Sequence, residues 1–309
     1  MFFDSKAKLA MLILGAVIVA GCLGGQPTII SGNGLEITNF TASQAQVYSG
    51  SKTQVSLGIE NQGQQIVTVG NGGILLIGAD DWTPGNIVRK FDKNLRPADP
   101  LRNIPADMQI ETWTLTGPTL PRGQSRIYTL TGRVYYDYVT TAFGQIIVYP
   151  QSEATAAQNR GETLEKSSWS VTNGPVSMAV TVAPDPVVVS GPGETFTLQI
   201  TFTNTEKGVV YRYNNVTGIN ADGTDTSKFS IPEDALNDII VGLTGFGTDL
   251  VIIDPTCYEN VEIVGNTASI ICDVNVTSGV NVKKPFSVGV NASYGYYIDQ
   301  QLSLTALGK

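Results

Sequence analysis

Two stretches of strict alternation, far apart in the chain, limit the fold more than any other feature. "VYSGSKTQVSLGIENQG" (47–63) can be laid on "VVSGPGETFTLQITFTNTEKG" (188–208). Ser49-Gly50 then meets Ser190-Gly191; Val55, Leu57 and Ile59 meet Leu198, Ile200 and Phe202; Asn61 meets Asn204. Successive side chains of a strand point to opposite faces, so apolar residues at every second position specify a strand with one buried face. The closing Asn and Gly tolerate the left-handed backbone that ends such a run. Two later stretches also match. "RVYYDYVTTAFGQIIVYP" (133–150) and "VGVNASYGYYIDQQLSLTAL" (288–307) each read as a tyrosine-rich strand, a turn and a second alternating strand. A hairpin is the expectation for both.

Similar beginnings and similar ends predict an all-β chain with two copies of one unit, at 33–150 and 176–309. Between them "QSEATAAQNRGETLEKSS" (151–168) is polar and lacks alternation, and "NGP" (173–175) marks a turn. Residues 151–175 are therefore the expected linker. Two segments break the pattern. "PEDALNDIIVGL" (232–243) reads as a short helix, and 79–108 reads as a long excursion with four prolines.

The N-terminus has its own logic. Lys6 and Lys8 precede the uncharged run LAMLILGAVIVA (9–20). Crossing a bilayer takes about 20 apolar residues, so this run fits the apolar region of a secretory signal peptide better than a membrane span. Val19-Ala20-Gly21-Cys22 directly after it resembles the lipobox of prokaryotic lipoproteins. The resemblance implies that residues 1–21 are removed, that Cys22 carries lipid, and that 22–32 tether the protein to the outer face of the cell membrane. An ordinary secreted protein cut nearby, or an uncleaved signal anchor, would carry a similar run.

Charge and composition exclude several function classes. The net charge is −8, with 19 basic and 27 acidic side chains. Phosphate backbones need a positive field, so nucleic acid is not an expected partner. The chain has no histidine, which removes Ser-His-Asp and Cys-His catalysis and the usual histidine-ligated zinc sites. No cofactor is expected. Cys257 and Cys272 flank a Gly-Asn turn, each in or beside a strand-like run. Thiols oxidise outside the cell, so a disulfide is expected, with two buried free thiols as the alternative.

An alternating strand closing on "IENQG" or "FTNTEKG", followed by a terminal hairpin, resembles the immunoglobulin-like modules of the CARDB type, which recur in archaeal and bacterial surface proteins. The resemblance implies two β-sandwiches and a surface role in adhesion, envelope structure or ligand presentation. It carries over no catalytic residue. The excursion at 79–108 and the helix-like segment depart from it.

Other constellations are weighed by what their chemistry needs. Asn220, Asp222 and Asp225, around Gly223, place oxygens at alternate positions as a calcium loop would, but the EF-hand spacing is not met. A plain solvated turn is the favoured reading, and no metal site is expected. Asp80 and Asp81 are adjacent, whereas glycoside hydrolysis needs two opposed carboxyl groups. The clustered tyrosines Tyr135, Tyr136, Tyr138, Tyr294, Tyr296 and Tyr297 suit packing on sheet faces, with a binding face as the alternative. Sequons place glycosylation candidates at Asn39, Asn215, Asn275 and Asn291, a number that chance alone would nearly supply. Glycosylation together with a lipobox would favour an archaeal source. Within 79–108, the cations Arg89, Lys90, Lys93, Arg96 and Arg102 accompany Trp82 and Phe91. Trp82 and the cations are the partner-contact candidates, for an envelope protein, an acidic glycan or anionic lipid headgroups. Alternatively the aromatics pin the loop to its own domain while the cations face water. The expected class is a non-enzymatic, lipid-anchored surface protein. The competing class is an anchored carbohydrate-active or peptidase-like enzyme that works with carboxylates.

Overall fold

A computed structural model describes residues 34–214 and 231–309. The expectation of an all-β chain holds: the elements are seventeen strands, one α-helix and two short 3-10 turns among the described residues. Residues from Gly32 to Lys309 form one compact unit.

The frame is a pair of very long strands, β7 (Ser125–Pro150) and β17 (Lys284–Leu307). They run antiparallel, and all 24 residues of β17 are in register with β7. Around this spine a ten-stranded sheet forms. Beside the first half of β7 lie β4 (Gly72–Ile77) and its partner β5 (Ile87–Lys90). Beside the first half of β17 lies β13 (Asp238–Thr244), which also pairs with β15 (Asn260–Glu262), and β12 (Val209–Arg212) pairs across the centre of β17 at residues 294–297. Two smaller sheets complete the layers. One is β1 (Leu35–Ala42), β3 (Lys52–Asn61) and β6 (Met108–Thr116). The other is β9 (Val176–Ala183), β11 (Glu194–Asn204), β16 (Thr267–Val276) and β14 (Leu250–Ile252). The alternation read from sequence has its physical cause here: Val55, Leu57, Ile59, Leu198, Ile200 and Phe202 are all fully buried.

The two halves of the chain exchange strands. The parallel partner of β2 (Gln46–Tyr48), which lies in the first half, is residues 305–307 at the end of β17. The parallel partner of β10 (Val187–Val189), which lies in the second half, is residues 148–150 at the end of β7. Each half therefore contributes its last strand to the other, the arrangement that domain swapping produces between protomers.

This corrects the two hairpins expected at 133–150 and 288–307. Neither segment turns; each continues straight through its centre. The glycines inside them serve as space rather than as turns. Gly144 lies opposite Trp169 of β8 (Ser168–Val171), and the indole occupies the volume a Cβ would fill. Gly295 lies opposite Tyr211, whose ring covers it in the same way. A strand glycine often marks such a close approach.

Two further segments differ from expectation. Residues 232–243 form only a 3-10 turn, Glu233–Ala235, before becoming β13, because Ile239 and Val241 alternate into the core. The segment 151–175, expected as a linker, is structured. It holds α1 (Gln151–Asn159) and β8, which pairs with residues 142–145 of β7.

Candidate functional site

At the centre of the spine Asp137 pairs with Gly295, and the strand exchange is symmetric about this point. Inward-facing tyrosines flank it, with Tyr136 opposite Tyr296 and Tyr138 opposite Tyr294. Their rings meet edge-on or tilted, with centroids 6.0–6.2 Å apart. Each hydroxyl closes a loop in one half, and the two halves do so alike. Tyr136 Oη accepts from Leu35 N–H at 3.1 Å, and Tyr294 Oη accepts from Val176 N–H at 3.1 Å. Tyr138 Oη accepts from Gln64 N–H at 3.0 Å, and Tyr296 Oη accepts from Gly208 N–H at 2.9 Å. The matched asparagines repeat as well: Asn61 Nδ2 donates to the Gln65 carbonyl and Asn204 Nδ2 to the Gly208 carbonyl. Burial raises the pKa of all four phenols, so they remain neutral donors and acceptors. Six tyrosines clustered in the sequence are thus mostly core: only Tyr297 escapes full burial, and it lies under the Arg133 guanidinium, 3.9 Å from its ring centroid.

On the outer face at the same point is a cavity of about 190 Å³, lined by Gly72, Lys90, Tyr135, Asp137, Tyr211 and Asn214. Burial raises the Asp137 carboxyl to a pKa of about 6, and the N–H of Asn214 partly offsets this. No sequence signal singled out Asp137, because its half-buried state depends on the ring of Tyr211 arriving from another strand.

The excursion at 79–108 returns to the body instead of leaving it. β5 pairs with β4, and Leu95 bridges Val67 through two backbone hydrogen bonds. Trp82 and Phe91 are each only 2 % exposed, and Trp82 packs edge-on against Tyr128. Trp82 is therefore a core residue and not an exposed anchor, which corrects its place among the contact candidates. The cations stay outside. Arg89, Lys90 and Lys93 are exposed. Arg96 pairs with Asp107 at 3.3 Å and Arg102 with Asp99 at 3.6 Å. Asp81 holds Arg126, and Asp80 accepts from Asn86. A second cavity of about 550 Å³ opens between this excursion and residues 64–66.

Cys257 and Cys272 are joined, with a Cα–Cα distance of 5.7 Å. Both are fully buried. Asn39 is exposed on β1, whereas Asn275 and Asn291 are half-buried within paired strands. Cys22, Asn215 and the calcium candidates Asn220, Asp222 and Asp225 lie outside the described residues. Among the described residues no cluster of three or more Cys, Asp or Glu side chains could hold a metal ion. No helix among them is long and apolar enough to cross a membrane.

No protein-family model matches the chain, and no curated protein matches it in sequence.

Proposed function

We propose that the chain is a non-enzymatic surface protein, held by lipid on Cys22 to the outer face of the cell membrane. In this reading two immunoglobulin-like modules of the CARDB type present a surface for adhesion, envelope assembly or a ligand. The observation that carries it is the buried Cys257–Cys272 pair in a chain whose N-terminus has an apolar run ending in Val-Ala-Gly-Cys. A disulfide persists where thiols oxidise, so it favours an exported location. The polar chemistry of the interior supports a scaffold role as well. The buried tyrosine hydroxyls close loops, and most acidic groups near the excursion hold arginines.

Mass spectrometry of the native mature N-terminus tests the anchor. A lipid-modified Cys22 as first residue is expected, and Cys22→Ser should leave the membrane fraction or retain an uncleaved leader. An unmodified N-terminus at another residue would overturn the anchor.

A further inference from the structure

The outer-face cavity at the centre of the spine lies where the symmetry between the halves breaks. Asp137 and Gly295 face each other across the β7–β17 ladder and occupy equivalent places in the two halves. Beside Gly295 stands Tyr211, whose fully buried ring takes the space that a Cβ would need. Beside Asp137 stands Asn71 instead, its carbonyl accepting from Asp137 N–H at 2.8 Å. Gly70 and Gly72 flank Asn71, and Gly70 has open space where a side chain would begin. With small residues in place of a ring, a cavity of about 190 Å³ remains. Tyr135 and Tyr211, both held in the core, make its walls firm. The Asp137 carboxylate in this lining is under-used. A carboxylate offers about four lone-pair sites. Among the described residues one hydrogen bond reaches this one, from Asn214 N–H at 3.3 Å. Burial with so little compensation raises its pKa to about 6. A desolvated carboxylate that holds little of the fold together costs stability, and groups perturbed in this way gather at functional sites.

We propose that this cavity binds a single neutral sugar residue, with Asp137 accepting hydrogen bonds from its hydroxyl groups. The site goes beyond the anchored scaffold and does not depend on lipid at Cys22. The chemistry of the lining selects the ligand. An ammonium ligand would meet the like charge of Lys90, and an anion would meet that of Asp137. A hydroxyl group both donates and accepts. A sugar can therefore donate to Asp137 while it accepts from Lys90 and from the side-chain amides of Asn71 and Asn214. Size agrees: the cavity is smaller than the roughly 300–1,000 Å³ of pockets for drug-sized ligands, which leaves room for one ring and not for a chain. Glycoside hydrolysis needs two opposed carboxyl groups. Asp137 is the single carboxylate lining the cavity among the described residues, so the site holds a sugar without cutting it.

Saturation-transfer NMR on the full-length protein at pH 8 tests the site. The probes are glucose, galactose, mannose and N-acetylglucosamine, with methylammonium and acetate as charged comparisons. At least one sugar should bind at millimolar concentration, and neither charged probe should. Asp137→Asn should weaken that sugar by about tenfold or more, because hydrogen bonds to a charged acceptor become bonds to a neutral amide. Loss of the carboxylate relieves the folded state at this pH, so weaker binding cannot come from misfolding. Asn71→Tyr, which copies Tyr211, should fill the cavity and abolish binding. Ile271→Ala, at an exposed position of β16, should bind as wild type does. The methyl glycoside of the bound sugar separates two sources of the same chemistry. Equal binding supports the terminal residue of a glycan as ligand, and loss of binding supports a free sugar. Failure of every sugar, preference for methylammonium or acetate, or binding unchanged by both Asp137→Asn and Asn71→Tyr would overturn the site.

Discussion

Replacing Leu304 by alanine probes the strand exchange at a point where the chain's sequence order and its spatial order disagree. Leu304 is fully buried, five residues before Lys309, yet its ladder partner is Tyr128 of the first half. Ala306, two residues on, pairs with Val47 of β2, also fully buried. Leu→Ala at such a site costs about 2–5 kcal/mol, from lost transfer free energy plus the cavity left behind. Since every 1.4 kcal/mol is tenfold, local opening should rise by about 30-fold to a few thousand-fold. Domains of ordinary stability hold about 5–15 kcal/mol, so the variant should remain folded at room temperature. Amide hydrogen exchange gives the decisive readout. Protection should fall at Gln46–Tyr48, along 125–131 and in the neighbouring β1–β3–β6 sheet. The sheet β9–β11–β16–β14, nearer in sequence, should keep its protection. The mirror experiment is Val148→Ala, a fully buried residue opposite Lys284 and beside Val187. It should loosen β10 and the start of β17 and spare β1–β3–β6. If Leu304→Ala deprotected the second half and left the first intact, β17 would be folding back on its own half and the exchange would be refuted.

Three other outcomes follow from the same geometry. Tyr294→Phe removes the acceptor for the buried Val176 N–H, so urea melts should show a loss of about 1–3 kcal/mol; Tyr136→Phe, which strands Leu35 N–H, should cost a similar amount, and a neutral result at both would dismiss the loop-closing role. Asp137 has a folded pKa of about 6, above its unfolded value of 3.8, so the folded state is penalised at neutral pH and relieved as pH falls from about 6 toward 4. Asp137→Asn should therefore gain about 1–3 kcal/mol at pH 8, with the gain vanishing below pH 4; identical urea midpoints at pH 8 would contradict this. Reduction of Cys257–Cys272, separated by 15 residues, should lower stability by about 3 kcal/mol in the chain-entropy account, read as a drop in thermal midpoint under reductant that Cys257→Ser reproduces.

What could be read from the sequence was what local pattern determines. The rows Val55-Leu57-Ile59 and Leu198-Ile200-Phe202 announce themselves because each inward residue contributes its own burial, whatever strand lies next to it. The cysteine pair was legible because its turn is local. Trp82 was harder. Its sequence neighbours, acidic residues and a Thr-Pro, look like a surface loop, and only its fit beside Tyr128 from β7 takes it inside. The excursion's cations were visible, but the ion pairs Arg96–Asp107 and Arg102–Asp99 depend on the loop closing on itself.

The exchange was not legible for a deeper reason. A hairpin and an exchanged pair of strands bury the same residues in the same alternation, so hydrophobic pattern cannot separate them. The difference lies at the centre, where a hairpin would need turn chemistry. In Tyr136-Asp137-Tyr138 only Asp137 favours a reversal, and both tyrosines beside it are buried with their hydroxyls committed to Leu35 and Gln64. Gly295 could have turned, but the Tyr211 ring fills the space its missing side chain leaves. Two strands denied a turn at the same level can satisfy their edges only by running on into a neighbouring half. Because the chain carries two such halves, each exchanged strand finds its acceptor within the same molecule, and the β7–β17 ladder ties the described residues of the two halves together.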